Sequence, residues 1–464
     1  MNWHDKSVLV LGAGDTGVSV GRYLRRLGAR VRVADSRDRP PGIDELRGLG
    51  CDVVTGGFSD ALFGDAELIV ASPGVAIAGP ACDAAVQRAV AAGHQFIGDI
   101  ELFAWQQNQI NDTGKKPKVI GITGSNGKST VTAMTGAMCA AAGLTSVVAG
   151  NIGLPLLDAL LDAEQSGPPD VYAIELSSFQ LETTSSLHLD AATMLNLSQD
   201  HLDRYDDMAA YASAKQRIYA HASHQIVNRQ DPVSMSMKDA RCACASFGLD
   251  RPTKPGNFGI ADGWLVRGDI RLMRLDALPV AGMHNAANAL AAFALVDAIG
   301  VDLAQAADGL RSFKGLPHRS QLVGVVNGVT FLDDSKGTNV GSTVAALSGM
   351  TTPTILIAGG EGKGQDFAPL LEPVRQHARA VVLIGKDAQT MASALAAAQV
   401  PVLHAQDMDA AVRVAFAYAN AGDTVLLSPA CASFDMFRHY KHRGEVFAAC
   451  VASLKSAQTE GGHA

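Results

Sequence analysis

The sequence has 464 residues, 47% hydrophobic and 18% charged, with a formal net charge of −8 at pH 7. This length predicts about three domains of about 100 to 200 residues, and the acidic balance gives no broad attraction for nucleic acid. No segment has the roughly 18 uninterrupted apolar residues of a membrane span, and no basic region precedes a long apolar run at the N-terminus, so we expect a cytoplasmic multidomain enzyme without membrane or nucleic-acid partners.

The first hundred residues alternate between strand and helix patterns. β-Branched runs at 8–11, 31–33 and 68–70 are separated by helical patterns rich in Ala and Leu. This alternation is typical of an α/β layer structure with a parallel sheet. We predict an N-terminal Rossmann-like domain over residues 1–100.

A glycine motif follows the first strand. Gly12, Gly14 and Gly17 open a helix, and Asp35 ends the next strand. This is the dinucleotide fingerprint, which alone predicts NAD. Glycine N–H groups and a helix N-terminus accept any diphosphate, however, and a carboxylate accepts hydrogen bonds from any ribose hydroxyl or base N–H. The motif leaves NAD and a UDP moiety open.

Two further polar stretches, Asp35-Ser36-Arg37 and Ser72-Pro73-Gly74, end predicted strands of the same domain. Open α/β sheets bind their ligands at that edge. Ser72-Pro73-Gly74 fits an ordinary polar turn equally well. The stretches are therefore candidate nucleotide contacts that the pattern alone does not decide.

A phosphate loop follows the next apolar strand. The strand at 119–123 runs into Gly124-Ser125-Asn126-Gly127-Lys128-Ser129-Thr130, and we predict a helix over 131–142. Backbone N–H groups of such a turn cradle phosphates, the lysine reaches the β/γ-phosphates and the following hydroxyl holds Mg²⁺. The loop is a variant of the P-loop pattern, because Ile122 lies five residues before Gly127. It predicts a nucleoside triphosphate site.

Metal-binding side chains follow two later strands. Glu175 comes directly after the strand at 171–174, and Asp200 and His201 follow the strand predicted at 193–197. Carboxylate oxygens and one imidazole suit Mg²⁺ or Mn²⁺ beside transferring phosphates. These residues are candidate metal ligands.

Three helical residues have mixed interpretations. Lys215 lies on a helix predicted over 208–221, where most lysines are solvated. Asn285 fits a helix N-cap, while Asn285 and Asn288, one turn apart, also suit adenine or phosphate recognition. The sequence leaves these roles open.

The remaining pattern predicts two more domains. A central P-loop mononucleotide-binding α/β domain is expected over 101–315, ending near Gly315-Leu316-Pro317. Beyond it, strands at 354–358, 380–384 and 424–428 alternate with alanine-rich helices, which predicts a C-terminal Rossmann-like domain over 316–464.

Several of these stretches together resemble the Mur ligase family, and the resemblance covers essentially the whole chain. They are GSNGKST at 124–130, ELSSFQLE at 175–182, DHLDRY at 200–205, HNAAN at 284–288, DSKGTN at 334–339 and SPACAS at 428–433. One departure is Tyr440, where the corresponding ligase commonly carries phenylalanine.

The resemblance implies an ATP-dependent, ADP-forming ligase of peptidoglycan precursor synthesis, and hence of cell shape and division. In that reaction D-glutamate joins the L-alanyl carboxylate of UDP-N-acetylmuramoyl-L-alanine through an acyl phosphate. The expected cofactors are ATP and two Mg²⁺ ions, with Mn²⁺ as an alternative, and the expected state is a monomer. The UDP-substrate, ATP and D-glutamate would be bound by the first, middle and third domains respectively.

The same resemblance implies a role for each matched position. The UDP-substrate contacts would be Asp15, Thr16, Asp35, Ser36, Arg37, Ser72, Pro73, Gly74 and Asn151. The ATP contacts would be Gly124, Ser125, Asn126, Gly127, Lys128, Ser129, Thr130, Asn285, Asn288, Arg319 and Asp334. The D-glutamate contacts would be Lys336, Thr338, Lys363, Ser433 and Phe434.

The implied catalytic groups are Lys128, Glu175, His201, Lys215 and Lys336. Ser129 and Glu175 would serve one Mg²⁺, while His201 and a carbamylated Lys215 would serve the second. His201 is also a candidate general base. Lys363, in a glycine-rich loop, fits a plain loop charge as well.

Three other functions stay open at this point. The first is a sibling ligase that adds another amino acid, or glutamate to folate. The second is an NAD-dependent oxidoreductase built on Gly12 to Gly17, which would leave the phosphate loop, Glu175 and His201 without a role. The third is a nucleotide-binding regulator without catalytic activity.

Overall fold

The computed structural model describes residues 2–109, 116–280 and 282–461. This part of the chain contains sheets of five, nine and six strands and forms two compact units. The first unit carries the five- and nine-stranded sheets, and the second carries the six-stranded sheet. The first unit comprises Met1–Leu197, Asp203–Ala277 and Ala287–Ser312, and the second comprises Ser198–Leu202, Leu278–Ala286 and Phe313–Ala464.

The N-terminal sheet is parallel throughout, in the order β3-β2-β1-β4-β5, and confirms the predicted Rossmann-like arrangement. Its strands are β1 (Ser7–Leu11), β2 (Arg30–Asp35), β3 (Asp52–Thr55), β4 (Leu68–Ala71) and β5 (Phe96–Ile97). Its helices are α1 (Asp15–Arg26), α2 (Ile43–Gly48), α3 (Ala84–Ala91) and α4 (Asp99–Gln109), with a 3₁₀ turn at Asp60–Leu62.

The central sheet has the order β14-β13-β12-β11-β10-β9-β6-β8-β7, parallel from β7 to β12, with an antiparallel edge of β13 and β14. Its strands are β6 (Lys118–Thr123), β7 (Ser146–Gly150), β8 (Val171–Glu175), β9 (Ala191–Met194), β10 (His224–Asn228), β11 (Ala243–Phe247), β12 (Phe258–Ala261), β13 (Trp264–Arg267) and β14 (Ile270–Arg274). Its helices are α5 (Lys128–Ala141), α6 (Leu156–Ser166), α7 (Ser178–Glu182), α8 (Met208–Gln216), α9 (Pro232–Ser236), α10 (Met283–Ala298) and α11 (Leu303–Arg311).

The C-terminal sheet has the order β15-β16-β20-β17-β18-β19, and only the edge strand β15 is antiparallel. Its strands are β15 (Gln321–Val326), β16 (Val329–Asp333), β17 (Thr354–Gly359), β18 (Ala378–Ile384), β19 (Val402–His404) and β20 (Thr424–Leu427). Its helices are α12 (Val340–Ser348), α13 (Leu371–His377), α14 (Ala388–Leu395), α15 (Met408–Tyr418) and α16 (Tyr440–Gly461).

The two sheets of the first unit share one hydrophobic core. Buried residues between Trp3 and Met237 form a single cluster. Within it, Phe103 of α4 meets Tyr172 of β8 edge to face, with ring centroids 5.3 Å apart. Because α4 follows directly on β5, its packing against β8 joins the first sheet to the central sheet.

Two predicted elements have different bounds in the structure. The helix after the phosphate loop begins at Lys128 rather than at residue 131, since Gly127 supplies its N-cap. The helix predicted over 208–221 ends at Gln216 and passes into a 3₁₀ turn at Arg217–Tyr219. Among the described helices, none combines the length and apolar character that crossing a membrane requires.

Candidate active site

The phosphate loop, residues 124–130, joins β6 to α5 at the carboxyl edge of the central sheet. Gly127 has φ 84°, a left-handed conformation that favours glycine. A Cβ at this position would lie 2.5 Å from Asn288 Oδ1. Asn288 of α10 therefore packs directly against the loop, and glycine is required there for both backbone and space.

Two lysines converge on this loop. Lys128 Nζ donates to the carbonyls of Gly124 and Ser125 at 2.8 Å each, and Lys215 Nζ donates to the Gly124 carbonyl at 2.9 Å. Lys215 is only 1% exposed and lies 4.6 Å from the centre of the Tyr211 ring. The interpretation of Lys215 as a solvated lysine is therefore wrong. Lys128 thereby places a positive charge at the loop, as a triphosphate requires.

Asn196, which the sequence reasoning missed, fixes the conformation of the loop. Its backbone oxygen accepts from Ser125 N–H, and its side chain exchanges two hydrogen bonds with the backbone of Asn126 at 2.9 and 3.1 Å. Asn196 follows β9, the neighbour of β6. Its place after an adjacent parallel strand is a signal that could have identified it.

Glu175 ends β8, the other neighbour of β6, and is 3% exposed. Its Oε1 accepts from Asn151 Nδ2 at 3.1 Å, while the buried Oε2 has no hydrogen-bond partner among the described residues. A buried carboxylate oxygen without a partner is costly, and a divalent cation would satisfy it. Ser129, in the first turn of α5, supplies a hydroxyl of the kind that P-loops use for Mg²⁺.

This donor set fits Mg²⁺, which keeps water and phosphate oxygens among its ligands and so needs few protein groups. Within the described residues, no three His, Cys, Asp or Glu side chains are grouped as a metal site. An ion held by Glu175 and Ser129 would take its other ligands from the nucleotide and from water.

The first sheet presents its own polar edge. Asp35, 2% exposed, accepts from Ala13 N–H at 2.7 Å and from three donors of Arg37. Burial alone would raise the pKa of Asp35, but the hydrogen bonds from Arg37 and Ala13 outweigh it and lower that pKa to about 2. Asp35 thus holds the half-exposed Arg37 at the edge, with Ser36 exposed between them.

The glycine turn of this sheet is closely packed on one side and open on the other. A Cβ on Gly17 would lie 1.9 Å from the Gly12 carbonyl, whereas a Cβ on Gly14 or Gly74 would meet nothing within 4 Å. Ser72 Oγ donates to the Gly12 carbonyl at 3.3 Å. The start of α1, with Asp15 exposed and Thr16 half-buried, therefore faces an open cradle beside Ser72-Pro73-Gly74.

The predicted ATP residues are divided between the two units, with residues 124–130 and Asn288 in the first. The second holds Asn285, buried near the start of α10, together with Arg319 and Asp334. His201 also belongs to the second unit and has φ 57°.

The segment carrying His201 is held within the second unit through its neighbour Asp200. The Asp200 carboxylate accepts from His201 N–H at 3.0 Å and from Asn339 Nδ2 at 3.1 Å. The short segment Ser198–Leu202 is thereby fastened to the residue that caps α12.

Asp334 directly follows β16 and accepts from Ser428 Oγ at 2.8 Å and from Ser320 N–H at 3.1 Å. Burial raises the pKa of the Asp334 carboxyl to about 7, although the hydrogen bond from Ser428 and the charge of Arg319 oppose this. Asp334 is therefore near the midpoint of its titration at neutral pH.

The predicted D-glutamate residues lie in three loops that follow the adjacent strands β16, β20 and β17. Hydrogen bonds join these loops, from Ala430 N–H to the Gly337 carbonyl and between the backbones of Glu361 and Ala432. Lys336 Nζ lies 4.0 Å from the centre of the Tyr440 ring, so the residue that departs from the family pattern contacts a predicted catalytic lysine.

The other members of this group differ in exposure. Ser433 is buried and Thr338 is half-buried, whereas Lys363 is exposed and has φ 52°. Phe434 is 67% exposed, an unusual setting for a large aromatic side chain. The three loops therefore present ammonium groups, hydroxyls and one aromatic ring at one sheet edge.

Arg443 is a second residue that the sequence reasoning missed. It is 1% exposed and donates to the side chain and carbonyl of Ser335 and to the carbonyls of Cys431 and Ala432. Burial lowers the pKa of Arg443 to about 10. One side chain from α16 thus ties together two of the three loops, and nothing in its local sequence indicates this.

Three Mur ligase family models match the chain. The model described as "Mur ligase MurD-like, N-terminal domain" matches residues 6–98, "Mur ligase middle domain" matches 122–296 and "Mur ligase, glutamate ligase domain" matches 318–431.

Similar proteins extend over nearly the whole chain. The UDP-N-acetylmuramoylalanine–D-glutamate ligase of Methylobacillus flagellatus is 53% identical over 460 residues and covers 98% of both chains. The protein of the same name from Nitrosospira multiformis is 49% identical and covers 100% of this chain and 99% of its own.

Solved structures with this fold include two enzymes of related description. The UDP-N-acetylmuramate-alanine ligase of Thermotoga maritima has a TM-score of 0.60 at 18% identity, over 97% of this chain and 100% of its own. A second structure, named MurF, from Acinetobacter baumannii has a TM-score of 0.59 at 18% identity, over 97% and 93% of the two chains. At this identity the two structures support the three-domain fold alone.

Proposed function

Since the chain belongs to the Mur ligase family, we propose that it joins D-glutamate to UDP-N-acetylmuramoyl-L-alanine, forming ADP and phosphate. The substrates are those named for its full-length relatives. The structural observation that carries the chemistry is the phosphate loop, where Lys128 and Lys215 converge on one carbonyl beside the neighbouring strand that ends in Glu175.

The reaction needs an activated carboxylate, because a carboxylate and an amine do not condense in water. An oxygen of the L-alanyl carboxylate attacks the γ-phosphorus of ATP, and the bond from that phosphorus to ADP breaks. The amine of D-glutamate then attacks the acyl carbon and loses a proton, while the bond to phosphate breaks. We assign Lys128 to the charge that develops on the transferring phosphoryl group, where positioning and electrostatics supply most of the catalysis.

Bound Mg²⁺ would neutralise phosphate charge at this site. We assign Ser129 and Glu175 as its protein ligands, because the free Oε2 of Glu175 is otherwise costly to bury. A second ion held by a carbamylated Lys215, and Mn²⁺ as a substitute, are further parts of the proposal. The observation that supports placing the modified group here is the burial of Lys215 beside the phosphate loop, at the Gly124 carbonyl.

For the sugar nucleotide we propose the open cradle of the first sheet, formed by Asp15, Thr16, Arg37 and residues 72–74, with Asn151 at the muramoyl end. A diphosphate suits the helix start and the exposed guanidinium of Arg37. NAD is the weaker alternative, because an oxidoreductase would leave the phosphate loop and Glu175 without a role, and the full-length relatives are named for a UDP-linked substrate.

For D-glutamate we propose the edge formed by Lys336, Thr338, Lys363, Ser433 and Phe434. The two lysines offer charge to its two carboxylates, and the hydroxyls offer hydrogen bonds. We further propose that the enzyme acts as a monomer in the cytoplasm, where ATP is available.

The test is phosphate release from ATP and Mg²⁺ with UDP-N-acetylmuramoyl-L-alanine, comparing D-glutamate, L-glutamate, L-alanine, L-lysine and no amino acid. We expect release with D-glutamate alone, together with a product heavier by one glutamyl unit. Release with another amino acid would replace the proposed substrate by that of a sibling ligase. No release with any amino acid would contradict ligase activity and leave a nucleotide-binding regulator.

A further inference from the structure

Arg204 has no role in the site described above, yet it joins two segments that are far apart in the sequence. Its side chain is 7% exposed. Nη1 donates to the Pro73 carbonyl at 3.1 Å, and Nη2 contacts the Val75 carbonyl at 3.5 Å and pairs with Glu182 Oε2 at 2.9 Å. One guanidinium therefore connects the turn after β4 with the end of α7.

The guanidinium of Arg204 is held in place by further contacts. It lies over the ring of Phe179, 4.4 Å from the ring centre, and Phe179 stacks on Tyr205 at 6.1 Å. Tyr205 Oη donates to Glu182 Oε1 at 2.5 Å. Glu182 is thus bound by two consecutive residues, one at each carboxylate oxygen, and cation–π attraction adds to the hydrogen bonds of Arg204.

Helix α7 ties these contacts to the candidate metal ligand Glu175. The helix starts three residues after the end of β8, and Ser177 and Gln180 form a complete capping box at its N-terminus. A capping box fixes the angle at which the chain enters a helix. Two residues of this helix, Phe179 and Glu182, hold Arg204. They consequently keep a fixed position relative to Glu175.

A continuous series of contacts also leads from Arg204 to the phosphate loop. Tyr205 packs on Tyr211 with ring centroids 5.2 Å apart, and Tyr211 Oη lies 3.3 Å from Ser125 Oγ. Lys215 lies against the same Tyr211 ring. The turn after β4 and the phosphate loop are therefore connected through packed aromatic rings and directed hydrogen bonds.

We propose that Arg204 is a positioning residue, which fixes the substrate turn at residues 72–75 relative to Glu175 and the phosphate loop. This inference rests on the proposed function, in which residues 72–74 bind the nucleotide end of the sugar nucleotide. The reacting carboxylate is at the opposite end of that long substrate. A small displacement of the turn is therefore carried to the reacting atoms, where a shift of about 1 Å can cost about 100-fold in rate.

The decisive variant is Arg204→Met, which keeps the apolar packing on Phe179 and removes every donor to the turn. We expect kcat/KM for UDP-N-acetylmuramoyl-L-alanine to fall about 30-fold, within the range for a misplaced substrate. The Kd for ATP should change less than about threefold, because the phosphate loop keeps its own bonds to Asn196. Arg204→Lys keeps the charge but cannot reach two carbonyls and Glu182 together. Its kcat/KM for UDP-N-acetylmuramoyl-L-alanine should therefore lie between those of the wild type and Arg204→Met.

The matched control is Arg217→Met. Arg217 also donates to two carbonyls, at Leu181 and Thr184, but both belong to α7 and the turn that follows it. The Arg217→Met variant should keep its kcat/KM for the sugar nucleotide within about threefold of the wild-type value. Combining Arg204→Met with Glu182→Gln should cost less than the sum of the two single changes, because the residues act through one contact.

Equal losses in Arg204→Met and Arg217→Met, or an equal loss of ATP and sugar-nucleotide affinity, would overturn the positioning role. If Arg204→Met does not fold, Arg204→Lys and Glu182→Gln carry the same comparison. If the wild type makes no glutamyl product, the proposed function fails separately. The Kd for UDP-N-acetylmuramoyl-L-alanine, measured by calorimetry, then decides the role of Arg204, and a wild type that does not bind this ligand would overturn both.

Discussion

The phosphate loop and the carboxyl edge of the C-terminal sheet are both ligand edges of parallel sheets, but they are built differently. The first site consists of seven consecutive residues, and backbone N–H groups of this turn are the groups expected to cradle phosphate. The second is assembled from loops at 334–339, 359–364 and 428–434, which Arg443 and backbone hydrogen bonds hold together. A continuous site can be identified from sequence order, whereas an assembled site depends on contacts that only the fold provides.

The largest expected effect breaks the continuous site. Lys128→Met removes the ammonium group while the glycine turn remains, and we expect kcat to fall about 1,000-fold, or about 4 kcal/mol. Phosphate release under saturating substrates measures it. Lys118→Met is the control, because Lys118 begins the same strand and pairs with Asp190 away from the loop. A loss below about tenfold in Lys128→Met would contradict the role given to this residue.

The second-largest expected effect on kcat tests whether Glu175, at the same edge of the central sheet, binds Mg²⁺. Glu175→Gln keeps the shape of the side chain but removes the charge of a candidate metal ligand. We expect kcat to fall about 100-fold, or about 2.7 kcal/mol, and the Mg²⁺ concentration for half-maximal activity to rise. A Mg²⁺ titration of the variant separates this from a folding defect. Unchanged Mg²⁺ dependence would mean that Glu175 does not bind the ion.

The third effect tests burial at the assembled site. Because the folded pKa of Asp334 is about 7 and its ordinary value is 3.8, the folded state holds this proton more tightly than the unfolded state. The free energy of unfolding should therefore decrease as pH rises from about 4 to about 7. Asp334→Asn removes this titration, so the variant should gain about 4 kcal/mol relative to the wild type across that window, at about 1.36 kcal/mol per pKa unit.

Urea unfolding of both proteins at several pH values provides the measurement. Asp35→Asn is the opposite control, because the pKa of Asp35 is lowered to about 2. Its contribution is present above about pH 4 and is lost as pH falls toward 2, so this variant should be less stable than the wild type at neutral pH. Parallel pH curves for wild type and Asp334→Asn would contradict the burial argument.

The smallest expected effect comes from weakening the hydrogen bonds that join two loops of the assembled site. Arg443→Lys keeps the charge but cannot make all four hydrogen bonds to the two loops. We expect the KM for D-glutamate to rise about tenfold, or about 1.4 kcal/mol, while the KM for ATP stays nearly constant. Arg438→Lys, an exposed change near the same helix, is the control. Equal changes in both KM values would show general loosening instead.

Much of the continuous site followed from the sequence. The glycine turn, the strand before it and the helix after it are adjacent in the chain, so their physics is local and the loop from Gly124 to Thr130 was correctly located. The strand ending in Glu175 was also predicted, since buried parallel strands are short apolar runs and their carboxyl ends bind ligands.

The supporting residues could not be predicted in the same way. Arg443 and Arg204 are buried cations, and hydropathy places arginine at the surface. Their partners are backbone carbonyls up to 131 positions away, and a carbonyl carries no sequence signal. Lys215 was ambiguous for the same reason, because periodicity on a short helix did not reveal that this face is buried.

The acyl phosphate step is tested most directly by oxygen transfer. UDP-N-acetylmuramoyl-L-alanine with ¹⁸O in both oxygens of the L-alanyl carboxylate would be incubated with ATP, Mg²⁺ and D-glutamate, and the released phosphate analysed by mass spectrometry. The account predicts one ¹⁸O atom in each phosphate released, because one carboxylate oxygen leaves with the phosphoryl group. Phosphate without label, formed along with the glutamyl product, would contradict activation through an acyl phosphate.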